Sequence, residues 1–175
     1  GIIIAMILDK IAAEQDKYSF DIETLGTCKI ASPVRKHEFV LEGERIYVSE
    51  NAAYGKYAAE RLGKIPTFER AGPKPKIFHD PSWTRVGIVT AGGLCPGLNT
   101  VIKGLVEILN YDYGVKNIFG IRYGYAGLNP EFGYQPIMLN PDVVDTIHEL
   151  GGTILGSSRG QQEAETIVDT LVRMN

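Results

Sequence analysis

The sequence predicts an α/β fold, a parallel sheet with helices on both faces, preceded by a small α+β N-terminal extension. Three observations carry that expectation. The apolar run Val86-Gly87-Ile88-Val89 ends in glycines and feeds a segment of helical period. From residue 86 onward, strand-like and helix-like stretches alternate three times, the pattern that lays parallel strands beside one another under crossover helices. Before it, Pro66, Gly72, Pro73, Pro75 and Pro81 crowd into twenty positions and separate this region from what precedes it.

In order along the chain, Ile4, Ile7, Leu8 and Ile11 have the spacing of a helix over residues 2 to 17. Short β-like runs follow, Cys28 to Ile30, Glu38 to Leu41 and Arg45 to Val48, and the last two read as a hairpin turning at Glu42-Gly43-Glu44. Residues 1–65 are therefore the extension, a helix plus short strands. Residues 66–85 form a Pro-rich connection, because proline forbids helix and favours extended, surface-running chain, and the domain boundary is placed there.

Residues 86–175 are the first part of an α/β domain, truncated at the C-terminus. Val86 to Thr90 is its first strand. Leu98, Val101, Ile102, Leu105, Val106 and Leu109 then mark one apolar helix face. Lys116 to Ile121 is the second strand. Asn140-Pro141 reads as an N-cap with proline at the first helical position, Val143, Val144, Ile147 and Leu150 line that helix, and Gly151 stops it. Thr153 to Leu155 is the third strand. Ala164, Ile167, Val168, Leu171 and Val172 mark the last helix.

The 175 residues, 44% hydrophobic and 22% charged, describe an ordinary soluble globular chain with room for one good core and a smaller appendage. A net charge of −3 and an isoelectric point near 5.7 argue against a broad nucleic-acid surface, so any phosphate is bound locally. Cys28 and Cys95 lie far apart without metal-like spacing, which points to a reducing compartment, the cytoplasm or a soluble organelle. Asp9 and Lys10 end the opening apolar run Ile2 to Leu8 well short of the roughly 20 residues of a membrane span. That run also lacks the flanks of a signal peptide. Because the chain stops at Asn175 in a helix-like segment without a cap, it is expected to be a fragment.

Each strand-exit loop is rich in glycine. In Thr90-Ala91-Gly92-Gly93-Leu94-Cys95-Pro96-Gly97-Leu98-Asn99, two readings stand: a tight strand-to-helix turn, or a cradle that brings backbone against a phosphate at a helix N-terminus. The spacing matches neither the dinucleotide fingerprint nor the Walker loop, which disfavours a dehydrogenase or a P-loop ATPase. Asn99 is read as the helix cap. Cys95 is read as a small buried packing residue rather than an activated thiol.

The second loop, Arg122 to Leu128, presents Tyr123, read as packing, and Tyr125, whose flanking glycines leave a ring face free for a ligand. The third, Gly156-Ser157-Ser158-Arg159-Gly160, holds an arginine with no acidic residue nearby until Glu163. Such a guanidinium suits a phosphate, which it grips bidentately and whose developing charge it neutralises. His148 is expected to complement a helix C-terminus, and Trp83 to pack the connection onto the core. No carboxylate pair has an acid/base arrangement.

Taken together, residues 86–99, Gly124-Tyr125-Ala126-Gly127-Leu128 and Gly151 to Gly160 resemble the N-terminal nucleotide-binding part of the 6-phosphofructokinase family. Leu94-Cys95, where many bacterial members carry an aspartate, and Glu69-Arg70-Ala71-Gly72-Pro73 resemble its extended plant and trypanosomatid branch. The resemblance runs from about Phe68 to Asn175, more loosely over the extension. It implies a phosphofructokinase-like fold and ATP-dependent phosphorylation of fructose 6-phosphate to fructose 1,6-bisphosphate in glycolysis, with Mg²⁺, in a homotetramer. It implies that Gly93 approaches the nucleotide phosphates, Tyr125 lies beside the nucleotide, Arg159 and Gly160 contact it, and Arg159 stabilises the transferred phosphoryl charge.

The family's Gly-Gly-Asp-Gly-Thr metal stretch and Thr-Ile-Asp-Asn-Asp base stretch are expected beyond Asn175, so the 175 residues alone are expected to be inactive. Where bacterial members hold an effector phosphate with helix arginines, Lys103 and Glu107 stand here, and a glutamate repels such an effector. Two other readings remain at this point, a pyrophosphate-dependent phosphofructokinase and a non-catalytic nucleotide-binding or assembly module.

Overall fold

A computed structural model describes residues 2–14, 22–35 and 38–174. The chain divides into two compact units, Gly1–Phe78 and His79–Asn175.

In the first unit, helices α1 (Ile2–Ala13) and α2 (Ala52–Leu62) pack together, with Leu8 and Ala58 fully buried. Asp9 of α1 receives the Tyr57 hydroxyl at 3.4 Å and pairs with Arg61 at 3.2 Å. The helix expected over residues 2 to 17 ends at Ala13, and positions 15 to 17 lie outside the described residues. The sequence reading passed over α2, although its punctuation is plain. The Asn51 carbonyl side chain accepts from Ala53 N and Tyr54 N, and Gly63 closes the helix at φ +68.

The expected hairpin is corrected. Leu41 to Glu44 does turn, with Glu44 N donating to Leu41 O at 3.2 Å, but β2 (Arg45–Tyr47) pairs antiparallel with β3 (Thr67–Glu69), not with residues 38–41. Likewise β1 (Ile30–Ala31) pairs with β4 (Lys76–Ile77). Residues 66–77 run extended, and their prolines serve as acceptors. Pro66 O, Pro73 O and Pro75 O take the N–H groups of Val48, Val40 and Ser32 at 2.9 to 3.2 Å. A proline lacks an N–H but keeps a full carbonyl, so it suits the outer rim of a short pair. Val40 therefore spends its N–H on Pro73 and not on a hairpin partner.

The second unit is an α/β layer structure. In its sheet, β5 (Arg85–Val89) pairs parallel with β6 (Asn117–Ile121), and β6 pairs antiparallel with β7 (Ile137–Leu139). The sheet is thus mixed where a wholly parallel one was expected. Residues 153–155, read as the third strand, form a turn instead, for a local reason. The Asn99 side chain takes the N–H of Ile154 at 2.8 Å and the Thr153 hydroxyl takes that of Leu155 at 3.2 Å, which withdraws two of the three donors from a ladder.

Helices α3 (Leu98–Glu107) and α4 (Pro141–Val144) cover one sheet face, and Ile88, Ile102, Val106, Ile118, Leu139 and Leu155 are central to the core there. The helix expected to run to Leu150 is broken: α4 stops at Val144 and a single 3₁₀ turn, Ile147–Glu149, follows. Asn140 caps α4 as expected, accepting from Val143 N at 3.0 Å. On the other sheet face, Val168, Leu171 and Val172 of α5 (Ala164–Arg173) stand opposite Gly87, Phe119 and Ile121 across a cavity of about 380 Å³.

Candidate functional site

The site is built where β5 and β6 end. Beyond β5 the chain passes through Thr90 and the glycines to Gly97, whose left-handed backbone (φ +90) starts α3 without a side-chain cap. Asn99 is not the cap. It is the second residue of α3, 2% exposed, donating from Nδ2 to Leu150 O at 3.1 Å and accepting Ile154 N at Oδ1 at 2.8 Å. One buried amide thereby clamps both sides of the Gly151-Gly152 bend onto the first turn of α3.

Further along the third loop the stitches continue. The Thr90 hydroxyl donates to Gly156 O at 2.8 Å, the Ser157 hydroxyl donates to Gly92 O at 2.6 Å, and Gly92 N donates to Ser158 O at 3.3 Å. Between the two loops lies an open cleft of about 510 Å³, lined by Gly92, Gly93, Leu94, Gly152, Ser157 and Arg159 among others. A guanidinium nitrogen of Arg159 sits 4.0 Å from where a Cβ on Gly93 would stand. Arg159 has no ion-pair partner among the described residues.

The loop after β6 is wedged against these two. Gly124 has φ +62, and a Cβ there would stand 2.9 Å from Ser158 Oγ and 3.3 Å from Thr90 O, so only glycine lets the three loops meet. Gly156, at φ +71, lies flat under the Tyr123 ring, 2.7 Å from Cδ1 to the position of an added Cβ. Tyr123 itself is left-handed (φ 59), which a bulky residue adopts only when its surroundings impose it. Here the Arg122 guanidinium donates to its hydroxyl at 2.9 Å, its ring meets that of Tyr134 at 4.6 Å, and its N–H donates to Leu155 O at 2.8 Å. The packing role expected for Tyr123 fits these contacts.

Of the residues singled out from the sequence, Gly93 and Arg159 are brought face to face in the cleft, and Gly160 is not among the residues that line it. Tyr125 stands on the 3₁₀ turn Gly124–Leu128, 46% exposed, and does not line that cleft. Two smaller expectations are corrected. Cys95 is exposed, because the glycine loop holds it out of the core. Trp83, on the turn from Asp80 to Thr84, is 68% exposed. His148 stands in the last turn of the 3₁₀ helix Ile147–Glu149; its Nδ1 lies 3.4 Å from Lys103 Nζ, and Lys103 also meets Asp145 at 3.6 Å and Glu107 at 3.8 Å.

Sequence reasoning missed Thr90, Thr153, Ser157 and the clamp role of Asn99. Their signal was a set of small hydroxyl and amide side chains next to the glycines of residues 90–99 and 151–160. Chemically, the arrangement offers an unpaired guanidinium across from a surface without side chains, a fit for a phosphate chain. Among the described residues no group of three His, Cys, Asp or Glu gathers to hold a metal ion, and no helix is long and apolar enough to cross a membrane.

A family model described as Phosphofructokinase matches residues 85–175. The chain is 44% identical over 167 residues to an ATP-dependent 6-phosphofructokinase of Borreliella burgdorferi, covering 93% of this chain and 37% of that protein. It is 39% identical over 158 residues to the Trypanosoma cruzi ATP-dependent 6-phosphofructokinase, covering 87% and 33%. With ATP-dependent 6-phosphofructokinase 7 of Arabidopsis thaliana the identity is 49% over 104 residues, covering 59% and 21%. The chain thus spans about a third of the length of the curated relatives it matches.

Proposed function

The chain belongs to the phosphofructokinase family, and on that premise we propose that the protein it forms transfers the γ-phosphoryl group of ATP to the 1-hydroxyl of fructose 6-phosphate, giving fructose 1,6-bisphosphate in glycolysis. One observation carries this reading: Arg159, with no anionic partner among the described residues, faces Gly93 across an open cleft between the glycine loop after β5 and residues 151–159. The ATP phosphates lie against the Gly92-Gly93 surface, and Arg159 neutralises charge that develops as the phosphoryl group moves. Gly160 and Tyr125 border the nucleotide. ATP as donor is supported by the relatives, all three of which are named ATP-dependent enzymes.

Mg²⁺ would supply charge neutralisation of the phosphates when bound. The described residues contain no group suited to hold it, so no step is assigned through the metal. The working protein is a homotetramer in the cytoplasm. A coupled assay on the full-length protein, comparing ATP with pyrophosphate as donor, tests the reading. Turnover with ATP is expected, turnover with pyrophosphate alone replaces the donor, and inactivity with both refutes the enzyme.

A further inference from the structure

The loop that carries Arg159 has no strand ladder to hold it, yet it ends in a defined place. Besides the Asn99 side chain at Ile154 N and the Tyr123 N–H at Leu155 O, a directed chain of hydrogen bonds holds it. Leu155 N lies 3.2 Å from Thr153 Oγ1, Thr153 Oγ1 lies 3.0 Å from Thr90 Oγ1, and Thr90 Oγ1 lies 2.8 Å from Gly156 O. Each hydroxyl owns one proton. The Gly156 carbonyl only accepts, so Thr90 gives its proton there. The Thr153 hydroxyl must then donate to Thr90, while it accepts from Leu155 N. Every proton in the relay is used once, and its anchor, Thr90, directly follows the last residue of β5, a strand held by five consecutive register pairs with β6.

Thr90 does not line the cleft of Gly93 and Arg159. It touches the loop three residues before Arg159, at Gly156, and the next two residues continue the seam through Ser157 to Gly92 O and Gly92 N to Ser158 O. On the functional reading above, we propose that Thr90 is a positioning residue for phosphoryl transfer. Its hydroxyl relay sets the distance between the Arg159 guanidinium and the Gly93 phosphate surface, and so acts on turnover more than on nucleotide binding. Removing the hydroxyl while keeping the volume loosens residues 153–159 without emptying the core.

The experiment compares Thr90→Val, Thr90→Ser and Thr153→Val in the full-length protein, by steady-state kinetics with ATP and by amide hydrogen exchange. Thr90→Val is expected to lower kcat by about 10- to 100-fold, the scale of a misplacement near 1 Å, with the KM for ATP within about twofold. Exchange is expected to quicken over residues 153–159 and nowhere else. Thr90→Ser restores both readings, and Thr153→Val, which breaks the relay from its other end, reproduces them. Unchanged exchange over residues 153–159, a loss that serine fails to restore, or an effect confined to KM overturns the proposal. A wild-type protein without phosphoryl transfer refutes the kinase reading instead, and the exchange data then decide the relay on their own.

Discussion

Replacing Asn99 with alanine tests how the two loops that line the cleft are joined. The side chain is 2% exposed and satisfies two backbone groups, Leu150 O and Ile154 N. Each hydrogen bond contributes about 1 kcal/mol net, and the Ile154 N–H left without an acceptor adds to the loss, for a total of about 2 to 4 kcal/mol. For a unit of this size each kcal/mol lowers Tm by about 4 to 8 °C, so the fall expected is roughly 10 to 30 °C, read by far-UV circular dichroism.

Asn99→Asp adds a sign. Its carboxylate still accepts from Ile154 N but sets negative charge against the Leu150 carbonyl. Burial and that carbonyl raise its pKa in the folded state above the unfolded value, so the folded state binds the proton more readily. The variant must therefore gain stability as pH falls from about 7 to about 5, where a protonated Asp donates to Leu150 O. A Tm loss below about 4 °C for alanine, or a flat pH dependence for aspartate, refutes the clamp.

Other outcomes follow from features of both units. Arg159→Ala should depress turnover by about 100-fold or more while nucleotide affinity changes far less, because its charge counts most in the transition state; equal losses in both return it to a surface role. Gly124→Ala must pay the left-handed penalty of about 1 to 2 kcal/mol and also push Ser158 aside, so both Tm and turnover should fall. In the first unit, the Arg70 hydrogen bond and the Leu41 N–H hold the Glu44 carboxyl below its ordinary value of 4.5. Its folded pKa is depressed, so the pair's support is present above 4.5 and fades as pH falls through the lowered value. An NMR titration of Arg70→Ala should find the Glu44 pKa raised; an unmoved value would show that the pair is not formed in solution.

The strands β5 and β6, the helix α3, the order of the glycine loops and the isolation of Arg159 were legible because each is a local property. Apolar period marks α3, and the distance from Arg159 to the next acidic residue, Glu163, can be counted along the chain. Pairing was not local. The partner of β2 was decided by which distant segment offered acceptors, and Val40 was claimed by Pro73 across thirty-three positions. Residues 153–155 have strand-like composition, but the side chains of Asn99 and Thr153 took two of the donors that a ladder needs. Of the candidate site, the facing pair Gly93 and Arg159 was readable, while Tyr125 stands outside the cleft and the side chains that hold backbone in place went unread, since a buried amide and a lone hydroxyl carry no periodic mark.

The prolines along residues 66–75 have a consequence for how this protein keeps to itself. Short two-stranded pairs expose unpaired backbone, and an exposed edge invites the same edge of a neighbouring molecule to dock and polymerise. Pro66, Pro73 and Pro75 flank β3 and β4 and point carbonyls inward at Val48, Val40 and Ser32, while offering no amide proton outward. An approaching strand finds gaps in the template at those places. At those places the small sheets of the first unit have no amide proton to give to a neighbour's strand.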